Sequence, residues 1–332
     1  MAGGRGTRLM PLTENRPKPM VPVLGRPVID YVKDAMVAAG LSEIIVTTGY
    51  QGEQLVSHVD SWNVPSRVNQ EDSPMGTAGS VNLLCDELTE TFVVGSGDSV
   101  ASFDVADLLE SHRSSGAKVT MALWEVNDPT EFGIVGLSRE NQGQIDSNLS
   151  EGFITKFKEK PTPDEAFSNL INAGLYIIEP EVMELVPKGE KYDFSKQLFP
   201  DVLSRGWPMY AKTVDGIWFD VGHPFELHNA QMALIEKREE LPFPMPDGEV
   251  LPDGSFISST ASVSGHISKS IILSGSSVNG AAVNSVVMAN SRINGVSESS
   301  IVGENSIIDS RILNCVIGDD NHIFIDLENE RR

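Results

Sequence analysis

Apolar positions in the first two thirds of the chain follow two alternating periods. Val28, Ile29, Val32, Ala35, Met36 and Ala39 recur at helical spacing and Gly40 supplies a stop, so 28–39 reads as an amphipathic helix. Glu43-Ile44-Ile45-Val46-Thr47-Thr48 is a buried-strand run ending at Gly49. A helix over 78–88, a short strand at Phe92-Val93-Val94-Gly95, a helix over 104–113 capped by Asp104 and closed near Gly116, and a strand over 118–126 follow. This alternation predicts an α/β domain with a mostly parallel sheet, whose ligands sit at the carboxyl ends of the strands.

After a helix predicted over 225–237 the pattern changes. Prolines 242, 244, 246 and 252 mark a linker over 239–256, and Ser, Asn, Gly, Ile and Val dominate beyond it. Ile257, Ile272, Val287, Val302 and Ile317 recur every fifteen residues. Val263, Val278, Ile293, Ile308 and Ile323 recur six positions later, and Ile271, Val286, Ile301 and Val316 make a third series. No helical period fits. Short strands stacked in coils do, so 257–325 is expected to be a β-solenoid of about five coils. A homo-oligomer through its open ends is expected.

Length and composition narrow the function. The 332 residues suffice for two domains, 1–238 and 257–325, around the linker. A net charge of −22 argues against nucleic-acid binding and against a cationic membrane anchor. There is no run of eighteen apolar residues and no basic, apolar-cored leader, so no membrane association is expected. Cys85 and Cys315 lie far apart and read as small core residues in a reducing, cytoplasmic setting.

The candidate chemistry begins at residue 2. Gly3, Gly4 and Gly6 let the backbone approach a ligand closely, and the free N–H groups of such a loop form an anion site. Arg8 and Lys18 add two cations, and Pro17, Pro19 and Pro22 keep the Lys18 segment extended. Asp98 and Asp220 each follow a predicted strand; as lone loop aspartates they also suit caps and turns.

The string G-G-R-G-T-R-L-x-P-L-T-x-x-x-P-K-P-M-x-P-V resembles the signature of the sugar-1-phosphate nucleotidylyltransferases, enzymes that include the mannose-1-phosphate guanylyltransferases and the glucose-1-phosphate thymidylyl- and uridylyltransferases. The resemblance runs from residue 2 to about 231. It implies a Rossmann-like nucleotidyltransferase domain followed by a left-handed β-helix. It implies transfer of a nucleoside monophosphate from an NTP to a sugar-1-phosphate, with Mg²⁺ as cofactor. Gly97-Asp98 resembles the family's N-G-D motif with Ser96 replacing Asn, and Trp218 to Pro224 resembles W-x-D-[IV]-G-T-P with His223 replacing Thr. Asp98 and Asp220 are then the metal ligands, and Arg8, Lys18 and Asp98 the catalytic groups. Nucleotide binding falls to Gly3, Gly4, Gly6, Thr7, Glu71, Gly76 and Thr77, the last three from a segment resembling the P-L-G-T-A-G nucleobase loop. Glu71 at the base edge favours guanine, with Gln70 leaving thymine or uracil open. Gly133, Glu159, Lys160 and Asn172 match the sugar-phosphate motifs. GTP with mannose-1-phosphate is the preferred pair, with glucose-1-phosphate and dTTP or UTP as the alternative and a non-catalytic assembly subunit as a reading of another class. The family's glycine loop follows a buried strand. Only Met1 and Ala2 precede Gly3 here, which implies either a start placed too late or a sheet short of one strand.

Overall fold

The structure, a computed structural model, describes residues 1–49 and 52–332. The short hairpin β1 (Pro22–Val23) and β2 (Arg26–Pro27) leads into α1 (Ile29–Ala38). Then come β3 (Ile44–Thr48), α2 (Gly52–Val59), β4 (Ser66–Gln70), α3 (Gly76–Asn82), β5 (Phe92–Gly95), β6 (Ser99–Ala101) and α4 (Val105–Ser115). The cap of α4 is the expected one. Asp104 accepts from the Asp107 amide, and Gly116 ends the helix at φ 62°. The rest is β7 (Val119–Glu125), β8 (Gly133–Ser138), β9 (Glu151–Glu159), β10 (Leu170–Ile178), α5 (Phe199–Ser204), β11 (Met209–Thr213), β12 (Trp218–Asp220) and α6 (Pro224–Glu236). The large sheet has the order β5-β10-β7-β11-β9-β8. Parallel pairing predominates over the chain as a whole, through β3–β4, β7–β11 and the repeat region. Within the large sheet the other pairs are antiparallel, β10 lying between β5 and β7 and β9 between β11 and β8. Helix α3 ends at Asn82, short of the expected span.

The β3–β4 pair is a sheet of its own, separated from β5 by a slot. Met1 and Ala2 enter one end of it. The Ala2 amide donates to the Thr47 carbonyl at 2.7 Å, the Met1 ammonium to Gly95 at 2.8 Å, and the Gly97 amide to Met1 at 2.8 Å. Burial pushes that ammonium down to about 6, against the pull of Asp98. Beyond Met1 the slot is a cavity of about 500 Å³, lined by Ile44–Thr47, Phe92–Gly95 and the apolar side chains of α1. The backbone edges of β3 and β5 both face this gap.

From Phe256 onward the chain winds as a three-sided β-solenoid, each strand pairing in parallel with the strand fifteen residues on. The first two apolar series supply its interior, where Ile272, Val287, Val302 and Ile317 meet Val278, Ile293 and Ile308. Ile271, Val286, Ile301 and Val316 point out of the coil and are nonetheless buried. They pack into one core with Leu9, Leu12, Val23, Leu24, Leu227 and Phe243 of the α/β part. Serines hold the corners. The amides of Ser270, Ser285, Ser300 and Cys315 each donate to the hydroxyl fifteen residues earlier, at 2.9–3.2 Å. Cys315 is therefore the last member of a serine series, and Cys85 is half-buried. A Cβ at Gly265, Gly280 or Gly295 would lie well inside contact distance of a carbonyl oxygen of the next coil.

Two outcomes follow from this packing. Gly280→Ala is expected to destabilise the fold by about 3 kcal/mol, since backbone rather than a flexible side chain must move; urea unfolding measures it, and a loss below about 1 kcal/mol would show that the coils can separate. An apolar segment of five or six residues placed ahead of Met1 is expected to raise Tm by about 5 °C by pairing with β3 and β5, and an unchanged Tm would show that the slot does not admit a strand.

Candidate active site

The glycine loop opens the site. Gly3 and Gly4 are exposed, and the amides of Gly3, Gly4 and Gly6 find no acceptor among the described residues. Gly6 has φ 63°, and a Cβ there would meet the Lys18 Cβ at 2.9 Å and the Thr13 Cγ2 at 3.0 Å, so glycine is required both for its backbone and for its space. Thr7 begins the tight turn Thr7–Leu9, which ends on the buried Leu9; Thr13 donates to the Gly6 carbonyl at 2.8 Å.

Lys18 lies beneath this loop and is only 6% exposed. Its Nζ donates to Asp98 Oδ2 at 2.8 Å and to Asp220 Oδ1 at 2.9 Å. The β6–β12 pairing, with Asp220 opposite Ser99, sets the distance between the two carboxylates. Burial alone would lower Lys18, but Asp98 and Asp220 outweigh it and hold the ammonium above its ordinary value. Burial would likewise raise Asp98; Lys18 first, then the Met1 ammonium, hold it below the usual carboxylate range. Arg8 reaches over the same site, its guanidinium 4.0 Å from Asp220 Oδ2. Lys18 uses one oxygen of each aspartate and leaves the other. Two carboxylates facing a phosphate loop suit Mg²⁺, which takes one or two of them together with water and substrate phosphates. No cluster of three or more His, Cys, Asp or Glu able to hold a metal is found among the described residues. An ion here would draw its remaining ligands from solvent and substrate.

Glu71 sits against this loop. Its Oε1 lies 3.4 Å from where a Gly3 Cβ would stand, and the Met75 amide approaches its Oε2 at 3.4 Å. Gly76 and Thr77 have internal work as well. The Tyr192 carbonyl accepts from the Ala78 and Gly79 amides, and a Gly76 Cβ would lie 2.6 Å from that oxygen. The Thr77 amide donates to Asp193 at 3.2 Å, and its hydroxyl accepts from the Phe194 amide at 2.9 Å.

The sugar-side residues form a second group. Glu159 lies across from Gly133, where a Cβ would come within 2.7 Å of its carboxylate. Burial raises Glu159 despite Lys160 and Lys196, and Ser195 bonds to it. Asn172 donates to the Tyr176 hydroxyl at 2.8 Å and to Ser195 at 3.3 Å, and its own oxygen accepts from the Gly174 amide. The register shift of β10 between Asn172 and Tyr176 carries Gly174 against Ser96, whose amide donates to the Gly174 carbonyl at 2.8 Å. That contact joins the sugar-side group to the Asp98 loop. Lys160, at φ 45°, is exposed and pairs with Glu131 at 3.2 Å. His223 is held below its ordinary value by burial and then by Arg331 and Arg8. Tyr176 and Ser195 stand in matched motifs without a role assigned from sequence, and Arg331 is 323 positions from the residue it touches. No sequence spacing could have found it.

Comparison with known proteins gives the family and the fold. A family model described as nucleotidyl transferase matches residues 1–237. A UTP–glucose-1-phosphate uridylyltransferase of Synechocystis is 31% identical over 239 residues, covering 67% of this chain and 59% of its own. Mannose-1-phosphate guanylyltransferase 1 of Arabidopsis thaliana is 28% identical, covering 79% and 72%, and the Mycobacterium tuberculosis mannose-1-phosphate guanylyltransferase is 30% identical, covering 80% and 72%. The chain therefore spans about three fifths to three quarters of these relatives. A crystal structure of apo UDP-glucose pyrophosphorylase superposes with a TM-score of 0.60 at 19% identity, over 71% of this chain and 97% of the other, which shows the shared fold. No helix among the described residues is long and apolar enough to cross a membrane.

Removing the shared cation tests the electrostatics. In Lys18→Met, burial of Asp98 is opposed only by the weaker pull of the Met1 ammonium and a backbone hydrogen bond, and its folded-state value is expected to rise above the unfolded one, so the folded state binds the proton more tightly. A loss of about 2 kcal/mol at pH 7 is expected, moderated because both carboxylates keep about a third of their surface in water. Stability should return as pH falls from 7 toward 4, read by unfolding at several pH values. An equal loss at every pH would mean that packing around Lys18, not charge, holds the site.

Proposed function

This chain belongs to the nucleotidyl transferase family, and from that premise we propose that it transfers a nucleoside monophosphate from an NTP to a sugar-1-phosphate, with GTP and mannose-1-phosphate as the pair. The observation that carries the reading is Lys18 held between Asp98 and Asp220 under a glycine loop with unused amides. A sugar phosphate oxygen attacks the α-phosphorus, a P–O bond forms, and the bond to the β-phosphate breaks to release pyrophosphate. The acceptor is already a nucleophile, so the protein's work is positioning and neutralisation of charge. The Gly3–Gly6 amides and Arg8 suit the leaving pyrophosphate. Lys18 is placed to neutralise charge between the two substrates, and Lys160 to hold the acceptor phosphate near Glu159 and Asn172. Asp98 and Asp220 would hold Mg²⁺, which when bound neutralises phosphate charge.

Two supports favour guanine and mannose: a carboxylate at Glu71 can accept from both N1–H and the N2 amino group of guanine, and guanylyltransferases recur among the similar proteins. The Synechocystis relative makes UTP with glucose-1-phosphate the second pair. Self-association through the outer end of the solenoid belongs to the same proposal, supported by Phe324 and Ile325 standing 74% and 50% exposed there.

Pyrophosphate release with Mg²⁺, measured across four NTPs and both sugar-1-phosphates, tests the reading. Turnover with GTP and mannose-1-phosphate is expected; turnover with another pair moves the substrate, and none from a folded chain overturns the enzyme. Arg8→Ala is expected to lower kcat about 100-fold, and Lys160→Ala to raise KM for the sugar phosphate about tenfold with a smaller change in kcat. Equal losses in both constants for both variants would remove these assignments.

A further inference from the structure

We infer that the last coil of the solenoid completes the triphosphate end of the site, with Arg331 as the positioning residue that fixes the Arg8 turn. The inference rests on the enzymatic reading above and concerns a part of the chain outside the matched residues 1–237. Arg331 Nη1 donates to the Arg8 carbonyl at 3.0 Å, and Nη2 donates to His223 Nε2 at 3.1 Å. One guanidinium thereby ties the turn that carries Arg8 to the start of α6, just beyond Asp220. Both acceptors are neutral, and among the described residues no carboxylate pairs with Arg331. In a chain with 47 acidic and 25 basic side chains, an arginine left without an acid beside a glycine loop is an uncompensated positive charge at an anion site.

The preceding two coils grip the segment at two more places. Arg16 pairs with Glu304 at 2.9 Å and with Asp319, its side chain only 14% exposed. Gly318 lies against Pro11, with 3.1 Å between its would-be Cβ and the proline ring. Beneath these contacts Leu9 and Leu12 share a core with Ile301 and Val316. The Arg8 side chain itself is 63% exposed and reaches Asp220 only at 4.0 Å, so its own contacts do not fix it. Its aim is set by the backbone that bears it, and the solenoid holds that backbone. Loss of Arg331 frees the turn and removes a charge from the nucleotide side, leaving the sugar side around Glu159 and Asn172 as it was.

The test compares the wild-type chain with Arg331→Ala and Arg331→Lys, and with Arg311→Ala as a control that removes a solenoid ion pair to Glu298 away from the site. For Arg331→Ala, kcat/KM for the NTP is expected to fall roughly tenfold, with KM for the sugar phosphate unchanged and Tm within about 2 °C. Backbone amides over residues 7–13 should exchange faster with deuterium, and those of the solenoid interior should not. Arg331→Lys keeps the charge and one donor and should recover part of the loss; Arg311→Ala should behave as wild type. Unchanged NTP kinetics and exchange in Arg331→Ala, or an equal loss in Arg311→Ala, overturns the inference. If the wild type releases no pyrophosphate with any pair, the enzymatic reading fails separately, and GTP binding together with exchange over 7–13 still decides whether Arg331 positions the turn.

Discussion

A buried ammonium must find its anions inside the protein, and Lys18 finds two. That single requirement organises the α/β part. Asp98 arrives on the loop after β5, and Asp220 at the end of β12. They converge only because β12 pairs with β6 in one register. The glycine loop lies over Lys18 so closely that Gly6 has no room for a side chain. Loop, lysine and aspartates form one mutually dependent unit, with an ammonium shared between two carboxylates beneath and open amides above.

The solenoid is joined to this unit by shared packing rather than by a tether. Its third apolar series would be a liability on a free-standing coil, since Ile271, Val286, Ile301 and Val316 face outward. Here they close one core with the residues under the glycine loop. Two adjacent apolar positions in one short strand, such as Ile271-Ile272, mean that both faces are covered, one by the coil interior and one by the neighbouring domain.

Much of this was legible in the residues. Lys18, Asp98 and Asp220 stand in spaced motifs, and the fifteen-residue period states the solenoid. What was not legible depended on long-range pairing. The strand and helix periods around α4 and β7 are local and came through. The antiparallel return of β8 to β10 is a matter of topology, which local periodicity does not encode. Gly76 and Thr77 read as ligand-facing residues of a nucleobase loop, and Tyr192, Asp193 and Phe194 also meet this segment from more than a hundred positions away. The third apolar series was visible as a pattern, but its docking partner was not.

The serine corners carry a consequence for length. Each coil bonds to the one before it through the same hydroxyl-to-amide contact, fifteen residues apart. Nothing inside the stack fixes how many coils there are. What is set from outside is which coils face the α/β part: Glu304 and Asp319 reach Arg16, and Arg331 reaches Arg8. The solenoid therefore acts as a ruler laid along the α/β part, and the position of each coil along it is a dimension of the candidate site. A chain with one coil more or fewer could stack just as well and still bring the wrong residues to the loop.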